Sequence, residues 1–266
     1  MKLYLVRHGR SAGNLPGRMT GWSDHSLTTL GAAQAQRVAE RLAVLGPMPV
    51  YASDLPRALE TAALIAARWP GVAAGGAGGE AVVGVHPDPR LREIDLGDYE
   101  GRSWDDFTAD HELAAAFARE PLDTRLPGGE SLALVRERVI AAFDEIVASG
   151  QQAACLVSHD GPIRTILNHV LQVPQKRHWA ISTSHGGLSL VETGDRWISV
   201  RFVNDTSHLL GLEVAAAPID AGESDAKPAD EADLAPSDAV DLAPSDAADL
   251  APDDDGEAPA RALEGL

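Results

Sequence analysis

The chain has 266 residues, room for one large domain or two small ones. It carries 22 basic and 40 acidic residues, yet residues 213–266 hold 16 of the acidic and 2 of the basic ones, leaving 24 acidic against 20 basic in 1–212 and a net of only -4 there. A nearly balanced body without a basic stripe argues against nucleic acid or an anionic membrane as partner, and no apolar run approaches the roughly 18 residues of a membrane helix. The single cysteine, Cys155, excludes a disulfide framework and points to a reducing compartment, the cytoplasm by default.

Residues 2–6 read as a buried strand that begins at once, leaving no room for a signal peptide. A helix over 28–45 follows, with Thr28 or Thr29 as N-cap and Gly46-Pro47 as its stop. Next come a short strand at 50–53 and a helix from about 55 to 69. A Gly-rich loop at 71–79 leads to a strand near 82–86, and helices fit 104–119 and 130–148. The run 153–157 is a second buried strand, followed by a helix over about 162–171. The segments 188–192 and 197–203 form a hairpin around Gly194-Asp195. Strands alternating with helices predict an α/β fold, a three-layer α/β/α sandwich with a largely parallel central sheet. The Gly-rich loop is no nucleotide fingerprint, because Ala81 stands where the third glycine belongs, and no P-loop pattern occurs.

From 213 onward the composition turns to Ala, Asp, Pro and Ser, with DLAPSDAV, DLAPSDAA and DLAPDDDG starting at Asp233, Asp241 and Asp249. One Leu and one Pro per eight-residue unit cannot bury enough surface to offset ordering entropy, so 213–266 reads as a disordered acidic tail. A tolerated low-complexity extension is the preferred reading over a docking or solubilising role. The domain expectation is a catalytic unit at 1–212 followed by this tail.

Polar residues that packing does not explain gather just after strands. Arg7-His8-Gly9-Arg10, with Ser11 and Asn14, follows the first, and Ser53-Asp54-Leu55-Pro56-Arg57 follows the second. Leu91-Arg92-Glu93-Ile94-Asp95 lies beyond the third, and Ser158-His159-Asp160-Gly161 follows the run at 153–157. In open parallel sheets, ligands bind outside the carboxyl ends of the strands. These segments would bring imidazoles, arginines and a carboxyl group to one mouth. That set suits phosphoryl transfer: guanidinium groups match phosphate oxygens, a histidine can act as covalent nucleophile, and a carboxylic acid can protonate the leaving alkoxide. Arg7 and Arg57 would disfavour the imidazolium form of His8. Such donors can stabilise the transferring group without a metal, and no His spacing suggests a metal site or any other cofactor. A hydrogen-bonded core histidine would be the better reading of either His8 or His159 alone; the accompanying arginine blocks reverse that judgement. Asp95, Asp98 and Glu100 compete with Glu93 as the acid, while His185 and His208 carry no ligand spacing, and Arg164 reads as a helix-face residue, with a supporting role behind the site left open.

Leu5-Val6-Arg7-His8-Gly9, Ser53-Asp54-Leu55-x-Arg57-Ala58-x-x-Thr61-Ala62, Ser158-His159 and Val203-Asn204-Asp205-x-x-His208-Leu209 together resemble the histidine phosphatase superfamily, the phosphoglycerate-mutase-like fold. The resemblance spans most of 1–212. It implies phosphorylation of His8, a phosphate pocket of Arg7, Arg57 and His159, and Glu93 as proton donor. It further implies that Asn14 helps hold the phosphate, that Thr20 and Gly21 contact the organic part of the substrate, and that the Gly161 amide adds a donor. Arg10 departs from the family's usual Glu or Gln; it would either meet a second anionic group on the substrate or pair with Asp160 or Glu93. Asp160-Gly161-Pro162 is a second departure.

The resemblance leaves three functions open. The first is metal-independent hydrolysis of a small phosphorylated metabolite. The second is mutase-type transfer, which the Thr20-Gly21-Trp22 loop favours. The third is phosphate binding with little turnover. Leu96-Gly97-Asp98-Tyr99-Glu100-Gly101 resembles the phosphatase form and the following segment is short, which favours hydrolysis. If Arg10 and Arg18 both face the mouth, they would suit a substrate with a carboxylate or similar second negative group. Oligomeric state is not readable from the sequence.

Overall fold

The computed structural model describes residues 1–14, 17–69 and 84–212. The expected Gly-rich loop, the first half of the expected third strand and the acidic tail lie outside the described residues.

The first strand, β1 (Lys2–Arg7), alternates its side chains between two apolar clusters. Tyr4 and Val6 face one cluster, and Leu3 and Leu5 face the other. It is therefore buried on both sides, the condition that produces an unbroken apolar run in a sheet covered by helices. Helix α1 (Thr29–Ala43) presents Gly31, Ala35, Val38, Ala39 and Leu42 as one buried stripe. The Thr28 hydroxyl caps it by accepting from the Gly31 amide at 3.0 Å. Strand β2 (Val50–Ala52) leads into α2 (Pro56–Ala66), which begins on a proline whose missing N–H would have no helical partner. β3 (Val85–Pro87) falls within and just past the expected place.

The expected helix over 104–119 is two helices, α3 (Trp104–Ala109) and α4 (His111–Arg119). Asp110 makes the break. Its backbone leaves the helical region and its carboxylate accepts from the Leu113 amide at 3.2 Å, starting a new helix. Then follow α5 (Leu132–Ala148), β4 (Ala153–Ser158), α6 (Asp160–Val170), and the hairpin of β5 (Leu188–Gly194) and β6 (Trp197–Asp205).

The strand order is β3-β2-β4-β1-β5-β6. β3, β2, β4 and β1 run parallel, whereas β5 is antiparallel to β1 and β6 to β5. One apolar cluster joins α1 and α2 to the sheet, and the other joins α5 and α6 to its opposite face, giving the expected three layers. A third cluster of Leu96, Tyr99, Phe107 and Leu126 packs α3 and α4 over the loop after Glu93. No helix among the described residues is long and apolar enough to cross a membrane.

In β1 and β4 the register pairs Arg7 with Ser158. In β4 and β2 it pairs Val157 with Ala52. Three strands thus end at one level, and the residues that follow them, His8, His159 and Ser53, emerge side by side.

Candidate active site

His8 continues the ladder past the end of β1, its amide donating to the Ser158 carbonyl at 2.9 Å. Its Nδ1 lies 2.7 Å from the Gly9 carbonyl oxygen. A carbonyl only accepts, so Nδ1 carries the proton and Nε2 presents a lone pair. Arg57, in the first turn of α2, donates its Nε to that Nε2 at 3.3 Å. The terminal nitrogens of Arg57 donate to the Ser23 and Gly21 carbonyls at 2.9 and 2.6 Å. Burial, reinforced by Arg7, Arg57 and His185, holds the His8 pKa well below that of a free imidazole, so the ring is neutral. Gly9 is required here because a Cβ would collide with the Gly31 backbone at the start of α1.

His159 packs edge-on to His8, with ring centroids 4.9 Å apart. Its Nε2 meets the Ser53 hydroxyl at 2.8 Å, while its Nδ1 is buried without a partner among the described residues. Burial, then His8, Arg57 and Arg7, depress its pKa as well. His8, Arg57 and His159 are only 2%, 1% and 0% exposed, so the cluster is shut from bulk solvent and its charges act undiluted.

Glu93 follows the turn at Pro89–Leu91, which is tied to β4 by the Ser158 hydroxyl donating to the Leu91 carbonyl at 2.6 Å. Two side chains on other elements hold its backbone: Arg138 on α5 and Trp22 donate to its carbonyl at 2.8 and 2.7 Å. Its carboxylate accepts from the Ile94 amide at 3.0 Å and the Gly161 amide at 3.3 Å. Burial raises its pKa, as does Asp160, against the pull of those amides and of Arg7. A carboxyl group with raised proton affinity suits an acid that must give up and recover a proton near neutrality. Two of the three competing acidic residues, Glu100 and Asp95, are otherwise engaged. Glu100 accepts from the Gly21, Trp22 and Ser23 amides and the Ser23 hydroxyl, and Asp95 accepts from the Gly97 amide at 3.0 Å.

Several expected contacts take another form. The Gly161 amide serves Glu93, so it is not a free phosphate donor in this state. The Gly21 amide is taken by Glu100 and its carbonyl by Arg57, while the Thr20 hydroxyl donates to the Gly13 carbonyl at 2.6 Å. These loop residues organise the mouth through their main chain. Arg10 is exposed and makes no ion pair with Asp160 or Glu93 among the described residues. Asp160 is instead engaged by Arg164 and lies 3.9 Å from Arg7. Arg164 is therefore a buried partner of Asp160, which fits the supporting role left open for it. Arg18 donates to the Gly101 carbonyl at 2.7 Å, which ties it to the cap loop. Asn14 uses its Oδ1 to accept from the Ser11 amide and hydroxyl at 2.9 and 2.8 Å, leaving its Nδ2 for another acceptor. Arg7 donates to the Thr183 carbonyl.

Sequence reasoning missed two residues. Arg138 donates to the carbonyls of Arg90, Arg92 and Glu93 and pairs with Glu130, yet it sits in an amphipathic helix where nothing marks it off from surface arginines. His185 lies with its ring 5.4 Å from that of His8. Its only sequence signal is a histidine beside two glycines just before β5. Among the described residues no group of three His, Cys, Asp or Glu side chains has metal-holding geometry.

Two neutral imidazoles, a guanidinium that donates to one of them and a buried carboxyl group of raised proton affinity thus gather beyond the carboxyl ends of neighbouring strands. The family model described as histidine phosphatase superfamily (branch 1) matches residues 3–206. The chain belongs to that superfamily and is a histidine phosphatase.

Among its relatives is a protein called probable phosphoglycerate mutase GpmB from Proteus mirabilis (strain HI4320). The two are 31% identical over 219 residues, covering 80% of this chain and 96% of that one. Among solved structures, Bacillus stearothermophilus YhfR superimposes with a TM-score of 0.67 at 28% identity, covering 78% of this chain and 98% of that one. A mycobacterial glucosyl-3-phosphoglycerate phosphatase does so at 0.65 and 29%, covering 76% of this chain and 98% of that one.

Proposed function

We propose that residues 1–212 hydrolyse a small phosphomonoester without a metal, through phosphorylation of His8. The observation that carries this is the His8 tautomer: Nδ1–H is committed to the Gly9 carbonyl, and the Nε2 lone pair faces Arg57. In the first step Nε2 bonds to phosphorus as the ester P–O bond breaks, and Glu93 delivers its proton to the leaving alkoxide oxygen. In the second step the Glu93 carboxylate takes a proton from water, whose oxygen bonds to phosphorus as the P–N bond breaks and His8 returns to its neutral form. Arg7, Arg57 and the free Nδ1 side of His159 are assigned to the equatorial phosphoryl oxygens, with Asn14 adding its Nδ2.

The glucosyl-3-phosphoglycerate phosphatase likeness supports a phosphorylated metabolite with a second anionic group as substrate. Exposed Arg10 at the rim, close enough to His185 to bear on its charge, suits such a group. The likeness to probable phosphoglycerate mutases supports the second reading, return of the phosphoryl group to another hydroxyl of the same molecule. The family match ends at 206, which supports keeping residues 213–266 out of the chemistry. A cytoplasmic location is part of this reading, supported by the lone buried thiol of Cys155.

The test is turnover of a chromogenic phosphomonoester in the presence of a chelator, with acid-labile phosphate trapped on the protein. Wild type should turn over and trap phosphate, and His8→Ala should do neither, with activity at least about 1,000-fold lower. Turnover that survives His8→Ala would sink the reading. Interconversion of 2- and 3-phosphoglycerate faster than phosphate release would replace it with the mutase reading.

A further inference from the structure

We infer that His185 is a third imidazole of the phosphate cradle, donating an N–H bond from Nε2 to an oxygen of the transferring phosphoryl group. The inference rests on the proposed phosphoryl chemistry at His8 and adds a residue to it.

The segment bearing His185 is held from every side. Upstream, Thr183 donates both its amide and its hydroxyl to Asp160 Oδ1 at 2.8 Å, and its carbonyl accepts from Arg7. On the near side, the Ser184 amide donates to Asn204 Oδ1 at 2.7 Å. Downstream, the Gly186 amide is shared between the carbonyls of Arg7 and His8, at 3.0 and 3.2 Å. The Gly186 carbonyl in turn accepts from His208 Nε2 at 2.9 Å. Asn204 adopts a left-handed backbone conformation, φ 50°, which asparagine accepts more readily than other residues with a Cβ, and this turns its side chain toward Ser184. The Asn204–His208 block at the end of the domain thus has a physical role, fixing the loop that sets His185 beside the nucleophile.

Placed this way, the His185 ring lies 5.4 Å from the His8 ring, tilted by 57°. Its Nε2 is closed off from solvent and has no hydrogen-bond partner among the described residues. An unpaired buried donor is costly. His178 and His208 also keep one buried ring nitrogen without a partner among the described residues, but of the three only His185 has its ring packed beside that of His8. Burial first, and then the positive charges of Arg7, Arg10 and Arg57, favour an uncharged ring and lower its pKa to about 3. A neutral imidazole with one N–H among three guanidinium groups complements an anion that brings acceptor oxygens.

The experiment measures orthophosphate affinity by calorimetry and kcat/KM on a chromogenic phosphomonoester, for wild type, His185→Ala, His185→Leu and His185→Gln. The Ala and Leu variants should lose about 10- to 100-fold in both, the share a single charge-assisted hydrogen bond carries, while Gln, which restores an N–H, should recover most of it. Should Ala destabilise the fold, Leu fills the site without a donor and the Leu-to-Gln contrast decides. Values within twofold of wild type for Ala and Leu, or equal values for Leu and Gln, would overturn the inference. The binding arm needs no turnover. A wild type that binds orthophosphate through His185 but hydrolyses no ester sinks the phosphatase reading alone; one that hydrolyses the ester while Ala and Leu keep wild-type kcat/KM overturns the inference alone.

Discussion

The two halves of the site are built by different means. The half proposed to hold phosphate consists of His8, His159 and Arg57, each placed within a few residues of the end of a central strand and each nearly or wholly buried. The half proposed to meet the organic part is the loop from Thr20 to Ser23. That loop is organised by one carboxylate, Glu100, which gathers three amides and a hydroxyl, and by Arg57 reaching across to two of its carbonyls. Strand ends hold atoms to a fraction of an ångström because the whole sheet resists their displacement. A loop tied by one side chain can be re-tied by substitution. The geometry of the chemistry is therefore the property of the sheet, and the fit of the leaving group is the property of a few side-chain bonds.

The comparison breaks most visibly at Glu93, which belongs to both halves. Glu93→Gln keeps the shape and removes the proton, and kcat should fall by about 100- to 10,000-fold. Because burial raises this carboxyl group's pKa, wild-type kcat/KM should decline as pH rises through that raised value. The decline should be absent in Glu93→Gln once the substrate's own ionisation is allowed for. A pH–rate series settles it, and an unchanged alkaline limb in the variant would assign the proton to another group.

A smaller effect is expected at Glu100. Glu100→Gln replaces an acceptor of several amides with a group that is half donor, so the Thr20–Ser23 loop should loosen. KM should rise about tenfold with kcat changed less than threefold. A matching fall in kcat with KM unmoved would show that the two halves are one.

The smallest effect per group concerns stability in acid. His185 is held at about 3, and His8 and His159 also lie below the ordinary imidazole value. Each binds its proton in the unfolded chain near pH 6.5 but not in the folded one. Its stabilising contribution is complete above 6.5 and is lost as pH falls toward the folded value. Each such group steepens the loss by up to about 1.4 kcal/mol per pH unit. Urea unfolding at pH 7, 6 and 5 should show midpoints falling faster than in His185→Gln. Identical slopes would mean that the ring titrates normally in the folded protein.

How much of this was legible in the sequence depended on where a residue stood relative to a strand. His8, Arg57 and His159 follow apolar runs within a few residues, and the parallel sheet rule then brings them together. His185 precedes its strand, and it nears His8 only because β5 runs antiparallel to β1, a direction that short apolar runs do not disclose. Arg138 is invisible for another reason: apart from Glu130, its partners are main-chain carbonyls, which every sequence has everywhere. The bonds that tie Thr20 to the Gly13 carbonyl and the Gly21 amide to Glu100 were not legible, because a loop residue's type says little about what its polar groups meet. The single helix expected over 104–119 failed at Asp110, where a side chain short enough to bond its own backbone restarts the turn.

The sheet order also bears on how the protein is made. β4 is wedged between β1 and β2, although both are synthesised long before it. On a ribosome, the early strands must wait without their permanent neighbour until the chain has grown past Ser158. The row of strand ends that carries His8, His159 and Ser53 is therefore complete only once β4 has been made.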